Sequence, residues 1–166
     1  MINMDNIEVV KVGMADFNIV KNPGMITTLG LGSCVAVVLY DAKLKMAGMA
    51  HIMLPSSKAI KNNSNRAKFA DTSISDLLDM MAKEGMKKQN LIAKIAGGSQ
   101  MFDFDSVDDV FSVGRKNIQA CKDILAELKI SIIAEDIGEN YGRTVEFYTL
   151  DGSFKIKSVG KAEKFI

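Results

Sequence analysis

Apolar and β-branched residues recur along this chain in short runs, which glycine, proline and polar clusters interrupt. Runs of about four to eight such residues predict strands. They lie at positions 7–12, 25–31, 35–40, 46–54, 91–96, 131–137, 144–150 and 154–159. Two longer segments repeat apolar residues at helical spacing, which predicts helices from 71 or 72 to 85 and from 114 to 129.

The order of these elements decides between fold classes. About eight strands and two helices are predicted, and the strands cluster at both ends of the chain instead of alternating with helices. This order favours an α+β fold, a mixed β-sandwich with helices packed on its outside, over a doubly wound parallel sheet. A length of 166 residues suits one domain covering 1–166.

Local signals mark the ends of several elements. Asp71 or Thr72 is predicted to cap the first helix, and Gly85 to end it. The run 22–24 (Asn-Pro-Gly) predicts a turn, and Asp151-Gly152 predicts a hairpin between the last two strands.

Composition and charge exclude several classes of function. The formal net charge of +1 gives no reason to expect nucleic acid or an anionic membrane as partner. No apolar run is long enough to insert into a membrane, and the first residues do not resemble a signal peptide, so we expect a cytoplasmic protein. With two cysteines and one histidine, we expect neither a disulfide framework nor a metal site, and nothing indicates a cofactor.

Cys34 and His51 are the candidate catalytic pair. Cys34 follows the glycine-rich stretch 30–33 and precedes an apolar strand, while His51 lies on the next strand. A turn centred between Ala42 and Lys43 would place residues 34 and 51 directly opposite each other, with Cβ atoms roughly 5 Å apart. A neighbouring imidazole can take the thiol proton and create a nucleophile for attack on a carboxamide carbon.

Other groups are needed around such a pair. A hydroxyl from Thr27 or Thr28, on the preceding strand, could orient the imidazole. Backbone N–H groups near the sulfur could stabilise an oxyanion, and the candidates are those around Gly32, Ser33 and Cys34, with Gly97 or Gly98 as the alternative. The structural alternative is that Cys34 is a small buried hydrophobe and His51 a structural strand-end residue. Cys121, on the apolar stripe of the second helix, is interpreted as a core residue.

Several segments resemble the CheD family of chemoreceptor glutamine deamidases, and together they cover nearly the whole chain. The spacing Thr-x5-Cys-x16-His, from Thr28 to His51, is the most specific of these features. The matching segments are 28–37, 48–55, 69–71, 97–102, 114–117 and 142–143.

This resemblance implies a function and a site. It implies that Cys34, His51 and Thr28 are catalytic, and that the protein hydrolyses glutamine side chains of chemotaxis receptors to glutamate, with release of ammonia. Some members of the family also hydrolyse receptor glutamyl methyl esters. The resemblance further implies that the chain binds and stimulates the phosphatase CheC, and that its fold is similar to the catalytic domain of the cytotoxic necrotizing factors.

Three residues depart from the family pattern, and two other functions remain open. Ser99 replaces an alanine, Lys116 an arginine, and Glu139 the second glycine of a Gly-Gly pair. If that glycine needed a positive φ, the turn around Glu139 is altered. The same Cys and His would also suit a cysteine peptidase or a thioesterase. The non-enzymatic alternative is a regulatory module that binds CheC and receptors without catalysis.

Overall fold

The secondary structure follows the predicted order closely. The computed structural model describes residues 4–101 and 112–166. In chain order, the strands and helices of these residues are β1 (Glu8–Lys11), β2 (Phe17–Lys21), β3 (Gly24–Leu31), β4 (Val35–Asp41), β5 (Met46–Ile52), α1 (Ala70–Lys83), β6 (Leu91–Gly97), α2 (Val113–Glu127), β7 (Ser131–Ile137), β8 (Arg143–Tyr148), β9 (Phe154–Lys157) and β10 (Lys164–Phe165).

The strands form two five-stranded sheets. The outer sheet has the order β1-β3-β8-β9-β10, and the central sheet has the order β2-β5-β4-β6-β7. The pairs β1–β3 and β6–β7 are parallel, while the other pairs are antiparallel. The α+β class with mixed sheets and external helices is therefore confirmed.

The central sheet is buried on both faces, which explains the unbroken apolar runs of β4 and β5. Along β4, Val35, Val37 and Leu39 pack against α1 and α2 in a helix-side core. The alternate residues Ala36 and Val38 pack against the outer sheet in an inter-sheet core. The layers are therefore helices, central sheet and outer sheet.

Helix α1 begins differently from the prediction. Phe69 occupies the N-cap position and provides no side-chain hydrogen bond, so capping by Asp71 or Thr72 is wrong. The Asp71 carboxylate instead accepts hydrogen bonds from the N–H and hydroxyl of Ser57, and the Thr72 hydroxyl donates to the Arg66 carbonyl. The helix ends as predicted before Gly85, whose φ is +95°.

Two strands were not predicted. β2 is an edge strand that pairs antiparallel with β5, and the two-residue β10 pairs with β9. The Asp151-Gly152 hairpin between β8 and β9 is confirmed. No helix among the described residues is long and apolar enough to cross a membrane.

Candidate functional site

A β-bulge in the outer sheet directly precedes the segment that carries Cys34. The pairing of β3 with β8 shifts register between Thr28 and Leu31, and Gly30 within this bulge has a φ of +71°. Bulges bend a strand and redirect its side chains, and they are frequent beside active sites. The chain then crosses to the central sheet, where Cys34 lies directly before β4 with 8% of its surface exposed.

The predicted register of the β4–β5 hairpin is wrong by two residues. His51 pairs with Ala36, not with Cys34, because the turn is centred further along the chain than predicted. A shift of two residues preserves the face, since side chains alternate with a period of two. Cys34 and His51 therefore share the inter-sheet side as diagonal neighbours, a spacing that longer side chains can bridge.

Thr28 connects the imidazole to the backbone. Its Oγ1 lies 2.7 Å from His51 Nδ1 and 2.7 Å from the carbonyl oxygen of Val12. Because a carbonyl can only accept, the Thr28 hydroxyl donates its hydrogen bond to the Val12 carbonyl, and Oγ1 accepts a hydrogen bond from Nδ1–H of His51. The neutral imidazole therefore carries its proton on Nδ1, and Nε2 has a free lone pair. Thr27 does not take part, since its hydroxyl donates to the Val145 carbonyl at 2.7 Å.

The other imidazole nitrogen is buried without a partner. His51 Nε2 has no hydrogen bond to any described residue. Burial lowers the pKa of His51, so the imidazole is neutral near pH 7 and its Nε2 lone pair is available. A buried acceptor without a partner costs free energy, and a catalytic role is one reason why a protein keeps such an atom.

The thiol of Cys34 is also neutral at rest. Burial raises its pKa, and the backbone N–H of Cys34 only partly opposes this shift. A raised thiol pKa beside a lowered imidazole pKa favours the neutral thiol and imidazole over a thiolate–imidazolium pair in the free protein. A thiol that is protonated at rest needs a base before it can act as a nucleophile, and the free Nε2 lone pair of His51 lies on the side of the sheet that Cys34 shares.

The turn that carries Cys34 is fixed through three successive carbonyl groups, each of which accepts a hydrogen bond from another segment. The Gly32 carbonyl accepts hydrogen bonds from Ser99 N–H at 2.9 Å and Ser99 Oγ at 2.7 Å. The Ser33 carbonyl accepts from Asn117 Nδ2 at 3.0 Å, and the Cys34 carbonyl accepts from Gly98 N–H at 2.8 Å. Residues 32–34 form the nucleophile turn, so called after Cys34, the candidate nucleophile.

Two of the glycine candidates for an oxyanion site have N–H groups that are already hydrogen-bonded within the protein. The Gly98 N–H is engaged by the Cys34 carbonyl, and the Gly32 N–H donates to Gly30 at 3.2 Å. A Cβ on Gly97 would lie 2.3 Å from the Cys34 carbonyl oxygen, so this glycine allows close packing behind the turn. The N–H groups of Ser33 and Cys34 have no acceptor on another described residue, and they remain the candidates.

The sequence did not identify Asn117 as part of the site. It is fully buried on α2, and its Nδ2 donates to the carbonyls of both Ser33 and Met53. Met53 follows His51 by two residues. One side chain thus bridges the cysteine and histidine segments. Only the 114–117 motif pointed towards this position, and it indicated no role.

Three further positions named from the sequence are Cys121, Glu139 and Phe102. Cys121 is fully buried in the helix-side core, and burial raises the pKa of its thiol to about 12, so its interpretation as a core residue is confirmed. Glu139 has a φ of +62°, in the left-handed region that favours glycine. Phe102 of the 97–102 motif lies outside the described residues.

The groups at the site have the arrangement found in one class of enzyme. A thiol and an imidazole, the latter oriented by a hydroxyl, lie at the edge between two sheets, as in enzymes that form covalent acyl-thiol intermediates. Within residues 4–101 and 112–166, no group of three or more His, Cys, Asp or Glu side chains could hold a metal ion.

The chain belongs to the CheD family. Residues 53–158 match the family model described as CheD chemotactic sensory transduction. A protein of Halalkalibacterium halodurans named chemoreceptor glutamine deamidase CheD is 51% identical over 160 residues, which cover 96% of this chain and 99% of that protein.

Further relatives carry similar names. Proteins named probable chemoreceptor glutamine deamidase CheD are 54% identical in Lachnoclostridium phytofermentans (96% of this chain, 99% of that protein) and 50% identical in Caldanaerobacter subterraneus (96% and 98%). Among solved structures, the hypothetical protein YfiH of Bacillus licheniformis aligns with a TM-score of 0.47 and 16% identity, over 73% of this chain and 49% of that one. The C-terminal domain of CNFy from Yersinia pseudotuberculosis aligns with a TM-score of 0.41 and 10% identity, over 95% of this chain and 62% of that one.

Proposed function

We propose that this protein hydrolyses the side-chain amide of specific glutamines on chemotaxis receptors, with Cys34 as nucleophile, His51 as base and Thr28 as the residue that orients the imidazole. The observation that carries this proposal is the Val12–Thr28–His51 hydrogen-bond chain, which leaves Nε2 as a free base on the face that Cys34 shares. Membership of the CheD family supports the same chemistry.

The first half of the reaction forms a thioester. Sγ of Cys34 attacks the carboxamide carbon of the glutamine while Nε2 of His51 accepts the thiol proton. The carbonyl oxygen becomes an oxyanion, and the N–H groups of Ser33 and Cys34 are its proposed hydrogen-bond donors. As the C–N bond breaks, the imidazolium returns the proton to the leaving nitrogen, and ammonia departs.

The second half regenerates the thiol. Nε2 of His51 accepts a proton from water, whose oxygen attacks the thioester carbon. The C–S bond then breaks, the sulfur recovers a proton from the imidazolium, and glutamate is released. Throughout, the Nδ1 proton remains directed at Thr28 Oγ1, which fixes the ring orientation.

Apolar side chains near the site favour a macromolecular substrate over a free small amide. Leu29, which directly follows Thr28, is 65% exposed, and Met101, which lies beside Gly32, is 48% exposed. Exposed apolar groups beside a site are typical of surfaces that contact another protein. A glutamine presented on a rigid receptor helix would reach a thiol at the sheet edge.

Mass spectrometry of a receptor cytoplasmic fragment tests the proposal. The wild-type protein should convert specific glutamines to glutamates, each with a mass increase of about 1 Da, whereas Cys34→Ala should convert none. Cys121→Ala is the matched control, because it removes the other thiol from the opposite face of the central sheet, and it should retain activity. Conversion by Cys34→Ala at the wild-type rate would refute the assignment of the nucleophile.

Binding to CheC is part of the same proposal, and purely regulatory binding is its alternative. Titration calorimetry of CheC with wild type and Cys34→Ala, run beside the deamidation assay, separates the two functions, since loss of the thiol should abolish deamidation and leave CheC binding intact. If wild type binds CheC without modifying any receptor glutamine, the regulatory function replaces the catalytic one.

A further inference from the structure

Every carbonyl of the nucleophile turn points towards a donor on another segment. The Gly32 carbonyl accepts a hydrogen bond from Ser99, and the Ser33 carbonyl accepts one from Asn117. The Cys34 carbonyl accepts one from Gly98. In a trans peptide unit the C=O and the following N–H point in opposite directions. A donor that holds one carbonyl therefore also fixes the direction of the next N–H.

This geometry fixes the two candidate oxyanion donors. The bonds from Ser99 to the Gly32 carbonyl direct the Ser33 N–H away from the 97–99 segment. The bond from Asn117 to the Ser33 carbonyl directs the Cys34 N–H away from α2. The Cys34 N–H belongs to the same residue as the sulfur, so this donor lies beside the reacting atom.

Asn117 is suited to this task more than to packing. Its side chain is fully buried, and both protons of Nδ2 are used, at 3.0 Å to Ser33 and 2.9 Å to Met53. Its Oδ1 is buried without a partner, which costs free energy that an apolar side chain of the same size would avoid. The two donated bonds fix the Cys34 segment relative to the segment that follows His51.

We propose that Asn117 is a positioning residue, which acts through the Ser33–Cys34 peptide to direct the Cys34 N–H at the oxyanion, and that Ser99 does the same for the Ser33 N–H. This inference rests on the proposed function for its biological meaning. The role itself concerns any acyl transfer to Cys34.

Two reactions of the same thiol separate this role from general packing. Acylation by 4-nitrophenyl acetate passes through a tetrahedral oxyanion, whereas alkylation by iodoacetamide forms none. In Asn117→Leu, acylation of Cys34 should slow by about 10- to 100-fold, while alkylation stays within about twofold of wild type. Cys121 is fully buried and does not compete for either reagent.

Control variants make the comparison decisive. Cys121→Ala removes a buried group one helical turn further along α2, without contact to the nucleophile turn, and should change neither rate. Ser99→Ala removes one hydroxyl bond to Gly32 but keeps the Ser99 N–H bond, and should slow acylation alone, by about two- to fivefold. This milder variant decides the matter if Asn117→Leu does not fold.

The outcomes have distinct meanings. Loss of acylation with retained alkylation supports the positioning role, while a parallel loss of both rates, or no change in either, overturns it. A wild-type protein that is acylated at Cys34 but leaves receptor glutamines unmodified would refute the proposed function without touching this inference.

Discussion

The two nitrogens of His51 have opposite environments. Nδ1 lies 2.7 Å from a threonine hydroxyl that is itself fixed to the backbone, whereas Nε2 has no partner among the described residues. A hydroxyl in this place is a neutral group, so it orients the ring without stabilising an imidazolium as a carboxylate would. This matches a mechanism in which the imidazole is neutral at rest and charged only transiently.

Replacement of Thr28 tests this orientation. Thr28→Val keeps the shape of the side chain but removes the acceptor for Nδ1–H. We expect kcat for deamidation to fall by roughly tenfold to a hundredfold, equivalent to about 1–3 kcal/mol, with little change in KM. Thr27→Val is the matched control, because that hydroxyl bonds to Val145 on the neighbouring strand. Equal losses in the two variants would mean that Thr28 has only a structural role.

The pH dependence follows from the directions of two pKa shifts. Burial lowers the pKa of His51, so kcat/KM should be flat near neutrality and fall only below the ordinary value of about 6.5. Burial raises the pKa of Cys34, so no thiolate limb should appear around the ordinary cysteine value. A rise in kcat/KM around the ordinary cysteine pKa of about 8.5, as ionisation of an unshifted thiol would give, contradicts this expectation.

The same histidine affects stability with a defined sign. The unfolded chain binds a proton at His51 at higher pH than the folded protein does, so the free energy of unfolding should decrease as pH falls below about 6.5. His51 is the only histidine, so proton NMR of the imidazole can follow this titration without assignment.

At the level of elements, the hairpin shows what the sequence could predict and what it could not. Apolar runs located β4 and β5, and the parity of side chains placed Cys34 and His51 on one face. The register was wrong because the turn was centred on Ala42 and Lys43, whereas Asp41 pairs with Met46 and Lys45 adopts a φ of +49°. A two-residue error preserved the shared face; a one-residue error would have separated the pair.

Elements that depend on distant partners were not predictable from local sequence. Asp71 looked like a helix cap, but Ser57 binds its carboxylate. β2 is short and lies at an edge, so it has little apolar patterning of its own. Asn117 has two carbonyl partners far away in sequence, and no spacing rule relates a helix residue to either of them.

The turn between β7 and β8 offers a test at this scale. Glu139 is exposed and has a φ of +62°, a conformation that costs a non-glycine residue about 1–2 kcal/mol. Because glycine loses about 0.5–1 kcal/mol through its greater unfolded entropy, Glu139→Gly should stabilise the protein by about 0.5–1 kcal/mol. Urea unfolding measures this gain. Glu139→Ala retains the Cβ and should give none; an equal gain there would assign the effect to loss of the carboxylate.

At the scale of the whole molecule, an ion pair joins the two sheets. Arg143 on β8 of the outer sheet contacts Asp136 on β7 of the central sheet at 2.7 Å, and the Arg143 side chain is fully buried. Burial alone would raise the pKa of Asp136, but hydrogen bonds from Lys164 and Arg143 outweigh it and lower the pKa. The carboxylate therefore remains charged in a partly apolar setting, and depends on these partners.

Removal of the buried partner should be costly. Arg143→Met leaves Asp136 with only Lys164, and we expect a loss of about 3 kcal/mol in the free energy of unfolding. Lys164→Met is the control, with a loss below about 1 kcal/mol, because the Lys164 side chain is 51% exposed. The double variant Arg143→Met/Asp136→Leu should recover most of the stability. Denaturant titration of the three proteins checks this order, and equal losses in the single variants would contradict it.

The sequence positions of the site have a consequence for biosynthesis. Cys34 lies directly before β4 and His51 lies on β5, whereas Ser99 and Asn117, which hold the nucleophile turn, are translated much later. A nascent chain that has exposed both reactive groups still lacks the donors that fix the turn. Because Ser99 and Asn117 follow the cysteine in the sequence, the complete site cannot form before residue 117 has been translated, and an earlier fragment of the chain carries the thiol without the bonds that fix its turn.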